Sequence, residues 1–337
     1  MLGVRTSLHK ARETALALAG ITALAVAPNL AWSTDSAAAK SCPLSELGSI
    51  DFEIVNNQVL VPVTVDGHSA QMLLDTGDIA TVLRSDDAQQ FGLKVENLPA
   101  GAGVNFGSAN ITQFAHVASL EVGSVHFGKS ELLLIPTRSG AARGPWVGIL
   151  GMNAFSKVDF ELDFTQHKLK LYSQDHCPGA VVYWADQYSS APLIRGPLGN
   201  YYFPIELEGK KIEAAISTAV GGNWLTTEVT RSLYGFDEKS PDIETRSNGV
   251  GGSVSQYRAM TLTGTGFQIN NAQIGLVTSK RPNCSLGHGG PGSAAMYTGC
   301  MGGEAPLKLG LDVAQHLHLY FATKEKVLYF TDAAAKK

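Results

Sequence analysis

The sequence predicts an all-β protein made of two similar halves, and three observations lead there. At 337 residues the chain has room for about two domains and a sizeable core. Its 36 glycines, with many valines, threonines and serines in short alternating runs, favour strands and tight turns over an α/β plan. The third observation is an internal repeat. Asp75-Thr76-Gly77 has a later counterpart in Ser217-Thr218-Ala219, and Thr81-Val82-Leu83 is matched at the same spacing by Asn223-Trp224-Leu225.

From the N-terminus, Arg5, Lys10 and Arg12 precede an apolar run from Thr14 to Ala27, and Ala31-Trp32-Ser33 offers small residues for cleavage. That pattern reads as a secretory signal peptide over residues 1–33. An uncleaved anchor is the alternative, but the run is short for the about 20 apolar residues of a span. No other segment is apolar enough to cross a membrane, so no span is expected after signal cleavage. The expected compartment is periplasmic or extracellular, where disulfides persist. A net charge of −4 without a long basic run argues against nucleic acid as a partner. The nine histidines are scattered and lack His-Glu-x-x-His spacing. His316 and His318 lie two apart on an expected strand and read as surface histidines, so neither a metal nor another cofactor is expected.

The run Leu73-Leu74-Asp75-Thr76-Gly77-Asp78-Ile79-Ala80-Thr81-Val82-Leu83 carries a carboxylate between two apolar strands. Glycine permits the reversal, threonine can hydrogen-bond locally, and the leucine and β-branched flanks bury the strands. Asp78 reads as a solvated loop acid, with a salt bridge to Arg84 as the alternative. Further on comes the apolar, glycine-bounded segment Gly148-Ile149-Leu150-Gly151-Met152-Asn153-Ala154-Phe155. There, Val158, Phe160, Leu162 and Phe164 alternate with Asp159, Glu161 and Asp163, the period of a half-buried strand with its acids toward solvent. After a short turn, Lys168-Leu169-Lys170-Leu171-Tyr172 closes a hairpin. In the second half, Leu307-Lys308-Leu309-Gly310-Leu311-Asp312 takes the place of Gly148 to Asn153, and runs at Leu317–Phe321 and Lys326–Phe330 mirror the hairpin.

The Asp75 loop resembles the active-site loop of aspartic peptidases, most closely the retroviral (retropepsin) type, in which Asp-Thr-Gly is likewise followed by Thr-Val-Leu. The later glycine segment fits the element that packs beside that loop in the same family. The resemblance implies two tandem retropepsin-like β-barrel lobes in a pepsin-like bilobal arrangement. Expected boundaries are a tether at 34–50, lobe 1 at 51–177, a linker at 178–196, lobe 2 at 197–332 and a tail at 333–337. It makes Asp75 the catalytic carboxylate, supported by Thr76, Gly77, Ser217 and Thr218, with the two threonines gripping each other's loops. It places flap hairpins at Gly101–Ser108, including Gly103, Val104, Phe106 and Gly107, and at Asn248–Ser253, including Gly251 and Gly252. Four cysteines allow three connectivities. Position within the lobes favours Cys42–Cys177, tying the ends of lobe 1, and Cys284–Cys300, stapling a glycine-rich loop for about 3 kcal/mol in the chain-entropy model. Free buried thiols are the alternative.

One departure bears on chemistry. The family's two carboxylates share one proton, one activating water while the other polarises the scissile carbonyl. Here Ser217 stands in place of the second acid, and Ala219 in place of its glycine. Loss of a positioned acid or base typically costs about 10²- to 10⁴-fold. Three readings follow. The first is an exported aspartic endopeptidase acting on a protein or peptide substrate, as a monomer or as a homodimer that borrows a second Asp75. The second is a degenerate peptide-binding or regulatory protein that keeps the cleft, and the third an unrelated β-rich envelope protein.

Overall fold

The computed structural model describes residues 42–335 apart from 79, 107–108, 138–143, 197–199, 248–253, 265–266 and 278–304. The signal segment, Gly107, Gly251, Gly252 and the Cys284–Cys300 pair therefore lie outside the described residues. Among the described residues no helix is long and apolar enough to cross a membrane.

The chain is all-β, and its halves repeat one topology. In the first, Gln58–Val65 and His68–Asp75 form a hairpin whose turn residues Asp66 and Gly67 take φ of 46° and 83°. Glu208 and Gly209, with φ of 50° and 71°, make the same turn between Tyr201–Leu207 and Lys210–Ile216. Both turns place two consecutive residues at positive φ, which matches the twist of tightly connected strands. Beyond the first hairpin the sheet continues with Gly148–Gly151, Val82–Arg84, Ser130–Ile135, Gln113–Val117 and Lys94–Asn97. The second half follows the same order with Leu307–Leu309, Asn223–Thr226, Phe267–Val277, Val254–Gly264 and Glu244–Ser247. In each half a short later strand is thus threaded between the two strands that flank the loop of interest. Gly148–Gly151 runs parallel to His68–Asp75, with Gly151 opposite Asp75, and antiparallel to Val82–Arg84. Leu307–Leu309 does the same, with Leu309 opposite Ile216.

A third sheet joins the halves. Its order is Glu46–Asp51, Lys168–Tyr172, Asp159–Asp163, Leu317–Ala322, Val327–Asp332 and Ser189–Pro192. The seam lies between Asp159–Asp163 and Leu317–Ala322, where Phe160 opposes Phe321 and their rings stack at 4.5 Å. One continuous apolar core runs through both half-sheets and the inner face of this sheet. The two halves that carry the loops therefore share one sheet and one core.

The outer face of the joining sheet corrects the sequence reading. Asp159, Glu161 and Asp163 are buried, not solvated, and His318 is buried at 5 % exposure. His316 is exposed and precedes the strand, which begins at Leu317, so the two histidines do not share a strand face. The reason is a covering segment that periodicity cannot reveal. Leu44, Val181, Val182 and Trp184 pack over Tyr172, Tyr320, Ala322 and Tyr329, and the Cys42–Cys177 disulfide, with Cα atoms 5.2 Å apart, ties this cover down.

Candidate active site at the paired loops

Asp75 ends the strand His68–Asp75, and Ser217 directly follows Lys210–Ile216, so the repeat carries both side chains to one place. Ser217 Oγ donates to Asp75 Oδ1 at 2.8 Å, and Gly77 N–H donates to the same oxygen at 2.9 Å. Among the described residues Oδ2 receives no hydrogen bond. Asp75 is half-buried while Ser217 is wholly buried. The carboxylate thus rests one oxygen on two donors and keeps the other for a further partner.

The threonines lock the loops reciprocally. Thr76 Oγ1 donates to Ile216 O at 2.7 Å, and Thr218 Oγ1 donates to Leu74 O at 2.5 Å. Thr76 N–H in turn donates to Thr218 Oγ1 at 3.3 Å. Both side chains are buried, so each bond satisfies a backbone carbonyl that water cannot reach. Gly77 allows the approach, since a Cβ there would meet Ser217 Cβ at 2.8 Å. Its counterpart Ala219 breaks the symmetry: its methyl joins an apolar cluster with Leu60, Leu73, Val82 and Ile149.

A second pair of polar contacts supports the loops from behind and was not singled out from sequence. Asn153 Oδ1 accepts from Thr81 N–H at 2.9 Å and from Thr81 Oγ1 at 2.6 Å, and Thr81 Oγ1 accepts from Gly151 N–H at 3.1 Å. In the other half Asn223 Oδ1 accepts from Gly310 N–H at 3.0 Å. The signal was available, because Asn223 aligns with Thr81 in the repeat.

Of the remaining expected residues, Val104–Phe106 and Ala109–Ile111 form a two-stranded hairpin. Val104 and Ile111 pack into the cluster that contains Leu73, Ile149 and Ala219, so the hairpin stands beside the Asp75 loop. Gly103 lies against Asn110, whose Oδ1 would sit 2.7 Å from an added Cβ. Asp78 accepts from Ala80 N–H at 3.2 Å as a local turn, and Arg84 is engaged by Asp87 at 2.5 Å.

The other concentration of ionisable groups is the buried face of the joining sheet. Glu161 accepts from Lys170 at 3.0 Å, His318 at 2.9 Å, Tyr172 at 2.8 Å and Tyr183 at 2.9 Å. Burial works to raise its pKa, but the hydrogen bond from His318 and the charge of Lys170 hold the carboxyl below the ordinary value. His176 lies between Asp159 at 2.6 Å and Glu325 at 3.2 Å. Glu161, Asp163 and His318 bring possible ligand atoms within 4.8 Å of one another. Glu161 is nevertheless saturated by protein donors, so this face is a structural knot under the cover, remote in kind from the Asp75 pair.

Residues 61–157 match the family described as gag-polyprotein putative aspartyl protease. The match runs from the first hairpin through the Asp75 loop to the segment that follows Gly151. No curated protein matches the chain. The loop geometry and the family match agree, and the segment 61–157 is similar to aspartyl proteases of the retropepsin-like type.

Proposed function

We propose that this protein is an exported aspartic-type endopeptidase in which Asp75 works beside Ser217 instead of beside a second carboxylate. The observation that carries the reading is the Ser217 Oγ to Asp75 Oδ1 bond of 2.8 Å inside an otherwise complete reciprocal threonine lock. An extended peptide laid over the loops would be covered by the hairpin at Val104–Ile111. Asp75, through its free oxygen, takes a proton from a water as that water attacks the scissile carbonyl. The same carboxyl then returns the proton to the departing amine. Ser217 donates to the carboxylate and holds it in place, but it has no proton to share with the substrate carbonyl in the way a second acid would. Turnover is therefore expected to be slow, by about 10² to 10⁴ relative to a two-carboxylate site. Export rests on the signal-like segment at residues 1–33.

Both paired loops come from one chain. Ser217 already occupies the position against Asp75 that a borrowed carboxylate from a second copy would need, which favours a monomer over a shared-site homodimer. A second reading, a peptide-binding protein without turnover, is favoured by the same substitution of serine for acid together with Ala219. Main-chain pairing of a bound peptide needs no catalysis. Purified protein incubated with an unfolded substrate at acidic to neutral pH separates the two. Cleavage that disappears in Asp75→Asn supports the peptidase, whereas peptide binding unchanged in that variant, without cleavage, supports the binder.

A further inference from the structure

We infer that Gln58 is a positioning residue for Ser217, acting through the backbone of the loop Thr218–Gly221; the inference rests on the proposed Asp75–Ser217 site. The strands Glu53–Val55 and Gln58–Val65 are joined by Asn56 and Asn57, both at positive φ, 52° and 58°. This tight turn projects from the first half onto the second-half loop. Three contacts follow one another. Asn57 lies against Gly221, where an added Cβ would meet Asn57 Cβ at 2.9 Å. Gln58 Nε2 donates to Ala219 O at 3.2 Å. Val59 N–H donates to Thr218 O at 3.0 Å.

The consequence lies in one peptide plane. Thr218 O and Ala219 N–H belong to the same peptide unit, and that N–H donates to Ser217 Oγ at 3.4 Å. Ser217 Oγ must then turn its own proton toward Asp75 Oδ1, the bond observed at 2.8 Å. A continuous chain runs from Val59 N–H through the Thr218–Ala219 peptide to the Ser217 hydroxyl and on to the carboxylate, and such chains polarise along their length. At 3.4 Å the Ala219 contact is long, so it depends on how firmly the plane is held. Gln58 grips the carbonyl of the next peptide unit, Ala219–Val220, and so restrains the loop on the far side of that plane. Val59 is fully buried and Gln58 half-buried, which keeps water from substituting readily at this point.

Gln58→Ala removes the side-chain donor while leaving the Val59 backbone bond in place. Gln58→Lys keeps a donor of similar reach and serves as the rescue. Losing one neutral hydrogen bond corresponds to at most about a tenfold effect. The expected result is an Ala219 amide hydrogen exchange faster by up to about tenfold in Gln58→Ala, a comparable fall in kcat with KM unchanged, and recovery of both in Gln58→Lys. In a Ser217→Ala background, Gln58→Ala should produce no further fall in kcat. Unchanged Ala219 exchange in Gln58→Ala, or an equal loss of kcat with and without the Ser217 hydroxyl, overturns the inference. Wild-type protein that cleaves nothing would instead remove the peptidase reading, and the exchange measurement would still decide whether Gln58 holds the loop.

Discussion

Thr218→Val is the sharpest test of how the halves are joined, because valine keeps the shape of threonine and removes only its hydroxyl. That hydroxyl donates to Leu74 O at 2.5 Å and accepts from Thr76 N–H at 3.3 Å, at a side chain with no exposure. Both partners would be left buried and unmatched. Each orphaned group costs about 1–3 kcal/mol, so the pair should cost about 2–6 kcal/mol, the longer Thr76 bond placing the total toward the lower end. Domains are stable by only about 5–15 kcal/mol, so this is a large fraction of the whole. In a urea titration with m near 3 kcal/mol/M, a loss of about 3 kcal/mol moves the midpoint by about 1 M at constant m. A midpoint shift below about 0.2 M would refute the view that the threonine lock holds the loops together.

Two further outcomes follow from the packing and the buried charges. Gly151→Ala would place a Cβ 2.5 Å from Ala80 O, and Gly310→Ala one 2.3 Å from Gly222 O, so each should lose about 1–3 kcal/mol in the same titration. Near-neutral behaviour of both would show that the threaded strands are not confined as described. The Glu161 carboxyl is held below its ordinary value in the folded protein, so its contribution is present above the unfolded pKa near 4.5 and is lost as pH falls through the folded value. Glu161→Gln should therefore lower stability at neutral pH and flatten the acid limb below about pH 4.5; an unchanged acid limb would remove Glu161 from that role.

Much of this was legible in the sequence because it depends on local pattern. The Asp75 loop is announced by Asp-Thr-Gly between apolar strands, and the partner loop by its repeat at Ser217. The two-residue hairpin turns at Asp66-Gly67 and Glu208-Gly209 carry an equally local signal. What sequence concealed is long-range. Asp159, Glu161 and Asp163 alternate with apolar residues exactly as a solvated strand would, and only the cover at Leu44 and Val181–Trp184 buries them. His318 was misplaced for the same reason, since its partner Glu161 lies 157 residues away. The Gln58 contact with Ala219 spans 161 residues and leaves no periodic trace.

Ser217→Asp is the most direct measurement. If Asp75 and position 217 face each other as the 2.8 Å contact describes, the variant supplies a second carboxylate able to share a proton, and cleavage of an unfolded substrate should rise by about 10² to 10⁴. A folded Ser217→Asp protein whose cleavage rate does not rise would contradict the paired-loop site.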